Sequence, residues 1–178
     1  MSIESLAPQL EIEKTALSAP RGESRQLALA GRLRLIFSFA ESREYMDELV
    51  LAQVPRSPPW LLGVFGTNGL AVPLVDLDAW AHNTQPRKLA RYRALRLEDG
   101  MGAWAIALNA APSVVALGQS RSQAVSTRLP ISVASTNGHL MPHIASVWTL
   151  QDGSFASQVR WPAVFQSLKQ DLSGAITN

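Results

Sequence analysis

The sequence predicts a mainly β protein, arranged as small barrels or a sandwich, with one short helix near the C-terminus. Short apolar strands recur at regular spacing, and tight turns join them into three hairpins. Helical periodicity is clear only after Pro162. At 178 residues the chain suits one domain or two small lobes and can bury a real core.

Residues 1–30 mix Glu, Ser, Pro, Gly and Arg without sustained periodicity, so they read as a mobile tail with a short helix around Glu11 to Leu17. Order is expected from Arg32. Leu33, Leu35, Phe37 and Phe39 alternate with Arg34, Ile36 and Ser38, the pattern of a half-buried strand. Residues 41–49, ESREYMDEL, are charged and lack an apolar stripe, which makes them a connection or a short helix. Val50 to Val54 reads as a brief strand.

A Pro-rich approach then leads to an apolar strand (Leu61 to Phe65), the turn Gly66-Thr67-Asn68-Gly69, and a second apolar strand (Leu70 to Val75). Asn-Gly supplies two residues that tolerate the positive φ of a tight hairpin turn. Both strands are apolar on each face, so burial is expected. A turn (Asp78 to Asn83) and a basic linker ending near Ala90 follow. RYRALRL and MGAWAIALN flank an Asp-Gly turn, with Trp104, Ile106 and Leu108 on one face and Ala103, Ala105 and Ala107 on the other. Ser113 to Leu117 is a further strand, and residues 118–130 are a polar connection. His143 to Leu150 and Ser154 to Trp161 make the last hairpin. Pro162 suits a first helical position, and Val164, Phe165, Leu168 and Leu172 share the face of an amphipathic helix. Residues 173–178 are a short tail.

Composition narrows the function. The chain is 47% hydrophobic and 17% charged, compatible with a surface covered by a partner or simply with a β-rich core. Sixteen basic against 14 acidic residues leave a net charge of +2, which does not point to nucleic acid. With no cysteine there are no disulfides, thiolate metal sites or Cys nucleophiles. The N-terminus lacks the basic and apolar regions of a secretory signal, and no apolar run approaches 18 residues. A cytoplasmic protein without direct membrane insertion is expected.

Candidate chemistry is sparse. His82, His139 and His143 lack an HExxH or carboxylate-rich context and read as ordinary surface imidazoles. No GxSxG elbow or phosphate-binding glycine motif occurs. Asp76 and Asp78 read as caps on whatever follows rather than paired catalytic carboxylates. No catalytic residue, cofactor or metal is therefore expected. The basic run Arg87, Lys88, Arg91, Arg93 and Arg96 splits between strand faces, as on a solvated edge strand; an acidic protein partner and a nucleic-acid groove are the competing readings. The five tryptophans read first as core, with Trp60 at core or rim and Trp148 and Trp161 placed to pack together.

Pro55, Pro58, Trp60, Leu61 and Gly63, then Gly69, then Pro73, Asp76 and Leu77 follow the spaced pattern P-x-x-P-x-W-L-x-G, N-L-R-G, P-V-x-D-L. In this the chain resembles CheW-like domains, especially those of type IV pilus (twitching) chemosensory systems. The resemblance implies two intertwined, SH3-like five-stranded β-barrels sharing a core, over residues 31–172. It also implies a non-catalytic adaptor between a methyl-accepting chemoreceptor and a CheA-like histidine kinase. The partner-facing residues would be Thr67, Asn68 and Gly69, supported by Trp60 and Gly63. Two departures stand out. Asn68 replaces the Arg of the pattern, which in the family lies near the partner-binding surface, and a short amide cannot reproduce its forked pairing. The stretch from Phe39 to Pro55 is also short, so the second strand should be abbreviated. Two alternatives remain: a divergent member without kinase coupling that binds another protein, and an unrelated small β-barrel that binds nucleic acid.

Overall fold

The computed structural model describes residues 24–41, 44–98, 102–117, 123–124 and 138–176. Eleven strands among them form two sheets. The six-stranded sheet runs β8-β1-β2-β11-β10-β9: β8 (Ser113–Ala116), β1 (Ser24–Ala30), β2 (Leu33–Phe37), β11 (Phe155–Val159), β10 (Ile144–Thr149) and β9 (Gln123–Ala124). The five-stranded sheet runs β3-β6-β7-β5-β4: β3 (Glu44–Met46), β6 (Ala94–Glu98), β7 (Ala103–Ala107), β5 (Leu70–Val75) and β4 (Leu61–Thr67). Each sheet joins antiparallel hairpins through one parallel pairing, β2 with β11 and β5 with β7. The expected two-lobed, mainly β architecture is present. Among the described residues neither ladder closes into a complete ring.

One core serves both lobes. Leu33, Leu35 and Phe37 of β2, Leu95 and Leu97 of β6, and Trp104 and Ile106 of β7 pack with Trp161, Phe165 and Leu168 of the C-terminal helix α2 (Trp161–Ile176). Rings cross the boundary in a continuous stack: Phe37 on Trp161 (5.1 Å, 4°), Trp161 on Phe165 (5.8 Å), and Phe165 on Trp104 (5.9 Å, 8°). Such contacts add to area burial and tie helix to both sheets. The alternation in β7 divides as its sequence suggests. Trp104 and Ile106 enter this shared core, while Ala105 and Ala107 pack in a second cluster with Phe65, Val72 and Leu74 beneath the β4–β5 hairpin.

Several elements differ from expectation. Strand β1 lies inside the segment expected to be tail, residues 1–30, and pairs with both β2 and β8. The helix expected at Glu11 to Leu17 and most of the 118–130 connection lie outside the described residues. β2 is covered on both faces, because Ile36 joins Leu27, Leu150 and Ala156 in a small cluster opposite the main core. Phe39 falls beyond the strand and is 54% exposed. The abbreviated second strand appears as the three-residue β3, while Val50 to Val54 contributes one bridge, Ala52 to Val64. Helix α1 (Leu77–His82) forms where a turn was expected, and α2 extends into the segment assigned to the C-terminal tail. Trp148 does not meet Trp161; it packs on the outer cluster and its indole N–H donates to Ser146 Oγ at 3.0 Å.

Candidate protein-docking surface

The β4–β5 hairpin gathers the five candidate residues and gives them two roles. At its tip Asn68 and Gly69 have φ of 50° and 74°, the backbone a two-residue turn of the primed type requires. Asn68, Gly69 and Leu70 are exposed and Thr67 is half-buried. At its base Gly63 has φ of +147°, and a Cβ there would lie 2.7 Å from the Ala52 carbonyl oxygen. Only glycine lets the segment before β4 approach this closely. Trp60 is half-buried against the shared core, and its carbonyl accepts the Asp76 N–H at 2.8 Å. Thr67, Asn68 and Gly69 thus present a surface, while Trp60 and Gly63 hold the hairpin at its root.

The strands are not buried throughout, as had been expected. Phe65, Val72 and Leu74 face the core, but toward the tip Gly66, Leu70 and Ala71 are exposed. Register places Ala52 beside Val64, Val64 beside Pro73, and Gly66 beside Ala71, so the opposite face is small, apolar and uncharged. Between Leu49 and Val75 the chain carries one charged residue, Arg56. It sits in a turn closed by the Ser57 N–H on the Val54 carbonyl (3.4 Å), with Pro55 before it and φ of 58°. That is the third position of a type II turn, which normally takes Gly or Asn. There the Cβ of an L-residue crowds its own backbone, at a cost of about 1 kcal/mol.

The acidic residues at the hairpin's end are structural. Asp76 is fully buried and caps α1 by accepting the Ala79 N–H at 3.2 Å. Arg87 pairs with it through Nε (3.1 Å), Nη2 (3.3 Å) and its backbone N–H (3.0 Å). Arg87 also reaches Asn109 Oδ1, and Asn109 brackets Gly31 by donating to its carbonyl and accepting its N–H, both at 2.9 Å. Asp78 pairs with Arg32 (3.1 Å) and His82 (2.9 Å). The other arginines of the basic run are matched as well: Arg91 with Glu48 (2.9 Å) and Arg93 with Asp47 (3.2 Å) from the flank of β3, and Arg96 with Glu44 of β3 (3.2 Å) and Glu98 of its own strand (2.9 Å). The expected solvated edge is a neutralised one. This removes the feature that motivated a nucleic-acid groove.

Two histidines are less superficial than their sequence context suggested. His143 stacks on Trp80 (6.1 Å) and shares a 3.2 Å contact with Ser167 Oγ; partial burial and the nearby Arg160 hold its pKa below the ordinary imidazole value. Trp80 in turn donates to Asp171 at 2.8 Å, fastening α1 to α2. Among the described residues no group of three or more His, Asp or Glu is placed to hold a metal ion.

A second concavity of about 630 Å³ opens between the lobes, lined by Leu97, Val159, Trp161 and Pro162, with Glu41, Glu98 and Arg160 adding charge. Sequence reasoning did not locate it. Its walls come from segments as far apart in sequence as Ala40 and Ala163, and no local pattern links them.

A family model for the CheW-like domain matches residues 27–169. The chain belongs to the CheW-like domain family. Among solved structures it resembles the scaffolding protein TtCheW from Thermoanaerobacter tengcongensis, with a TM-score of 0.59 and 12% identity over 78% of this chain and 89% of that one. At that identity the likeness is one of fold. No curated protein matches the chain. CheW-like domains are non-catalytic scaffolds of chemotaxis, which fits a molecule whose buried carboxylates all serve as caps and ion pairs. No helix among the described residues is long and apolar enough to cross a membrane.

Proposed function

We propose that this CheW-like protein is a cytoplasmic adaptor that couples a methyl-accepting chemoreceptor to a CheA-like histidine kinase, in chemotaxis or type IV pilus-driven twitching. The observation that carries this reading is a rigid two-lobed scaffold offering two separate surfaces, the uncharged β4–β5 hairpin and the cleft between the lobes. Two surfaces on one shared core suit a protein that holds two partners at fixed geometry and transmits receptor state by contact. Retention of the cognate kinase regulatory domain and receptor cytoplasmic fragment on immobilised protein tests it. Wild type should hold both, and Asn68→Asp or Thr67→Arg should lose one while leaving the fold intact. Wild type that holds neither refutes the reading.

A second reading has its own support. Asn68 stands where the family pattern has Arg; on this second reading the chain is a divergent member without kinase coupling that binds only the receptor or another protein. Asn68→Arg should then create or strengthen kinase retention; no gain counts against this account.

A further inference from the structure

We propose that Arg56 is the electrostatic anchor of an interaction surface for an acidic protein segment, formed by the turn at residues 54–57 together with the uncharged strand edge beside it. This rests on the docking role of the hairpin but not on which protein docks.

Three independent observations converge on Arg56. Its backbone is in the left-handed region at φ 58°, at a turn position where Gly or Asn would sit without strain. Strained residues of this kind persist where the surroundings fix them, and they cluster at functional sites. Pro55 before the residue and Pro58 and Pro59 after it supply that rigidity, so the guanidinium is presented from a stiff loop at low entropic cost.

Its charge is also unanswered. Arg56 is exposed and its side chain forms no ion pair or hydrogen bond among the described residues, whereas Arg87, Arg91, Arg93 and Arg96 each meet a carboxylate. It is the one charged residue from Leu49 to Val75, and no acidic group on that segment competes for it. Along the same stretch the exposed side chains are uncharged and mostly apolar: Val50 is 88% exposed, and Ala52, Gln53, Pro55 and Pro59 are exposed as well. A lone forked donor in an apolar, acid-free field selects a carboxylate flanked by apolar side chains. Desolvation of that surroundings strengthens the pair, and a basic or phosphate-poor neutral partner gains nothing there.

Other clusters carry less. The indole N–H of Trp161, beside the lobe cleft, is buried without a partner among the described residues, and nothing else at the cleft indicates a ligand.

The test uses the full chain, uniformly labelled with nitrogen-15, and a capped peptide of alternating Glu and Leu as the probe. Amide shifts should concentrate on residues 50–59 and the β4–β5 hairpin. Arg56→Gly and Arg56→Asn should weaken the peptide about tenfold, and Arg56→Lys should retain part of the affinity. Because Gly and Asn accept the turn's backbone, both variants should melt at or above the wild-type temperature. Shifts centred on other cations, equal binding by Arg56→Gly, no binding by wild type, or a lower melting temperature for both variants would each overturn the proposal. Kinase and receptor retention is a separate measurement, so loss of the adaptor reading and loss of this one give different results.

Discussion

The two edges of the five-stranded sheet treat charge in opposite ways. At one edge β3 lies against β6, and Glu44, Asp47 and Glu48 are matched to Arg96, Arg93 and Arg91. At the other, β4 and β5 with the segment before them carry a single charge over 27 residues. Paired charges protect an edge from unwanted strand pairing and leave little free energy for a partner, since each ion is already satisfied. An uncharged edge tipped by Leu70, 53% exposed, is a liability unless something covers it. On the proposed reading the first edge is protected against pairing and the second is the docking edge.

The largest expected effect comes where the two regimes meet. Asp76 ends the uncharged segment and Arg87 begins the basic run, and the pair is buried at Asp76. Asp76→Ala removes the α1 cap and strands the Arg87 guanidinium. A loss of about 3–5 kcal/mol is expected in urea unfolding, because a buried charge left without its partner costs more than the pair contributed. A loss below about 1 kcal/mol would mean that water reaches Arg87 freely and that the junction does not bind the two edges together.

Next is Gly63→Ala. The added Cβ meets Ala52 O at 2.7 Å and Leu51 Cβ at 3.1 Å, and neither backbone nor neighbour can move without opening the bridge. About 2 kcal/mol of destabilisation is expected. Hydrogen exchange should rise at Ala52 and Val64, which exchange N–H···O bonds of 2.8 and 2.9 Å. Unchanged protection there would show that the uncharged edge does not depend on this close approach.

These two sites also mark what the sequence revealed and what it could not. The hairpin, its Asn68-Gly69 turn and the split faces of β7 were legible because turn chemistry and period-2 alternation are local. Asp76 as a cap was legible for the same reason. Strand β1 was not, since only the small Ala28 and Ala30 meet the shared core while the larger Leu27 and Leu29 lie on the other face, Leu29 at 37% exposure. The pairing of the basic run was hidden too. Its carboxylates sit about 50 residues earlier, and only the register Glu44 to Arg96 brings them together. The hairpin tip was singled out by resemblance, but the isolation of Arg56 emerges only once Arg87, Arg91, Arg93 and Arg96 are each seen to meet a carboxylate.

A smaller effect separates charge on the two edges directly. Arg96→Gln with Glu44→Gln in a double-mutant cycle should give a coupling of less than about 1 kcal/mol, reduced by salt, as for half-exposed pairs. Leu70→Lys or Ala71→Lys on the opposite edge should change stability by less than about 0.5 kcal/mol and abolish partner retention. If the lysines leave retention intact, the uncharged edge is not the docking face.

The subtlest distinction is made by acid. Desolvation raises the Asp47 carboxyl, but the Glu48 N–H and the Arg93 guanidinium outweigh it and hold its pKa below the ordinary aspartate value. A carboxylate whose folded pKa is depressed lends stability that is fully present above its unfolded pKa, about 3.9, and is lost as pH falls through the lower folded value. Between pH 5 and pH 3 the β3–β6 edge should therefore begin to fray, seen as faster hydrogen exchange at Met46 and Ala94 after correction for intrinsic rates. The β4–β5 edge has no carboxylate before Asp76 and should keep its protection over the same interval. Asp47→Asn removes one of the paired carboxylates of the first edge, so it should reduce the pH response there without touching the second. Equal acid sensitivity at both edges would show that their stabilities are coupled through the shared core rather than set by their separate charge patterns.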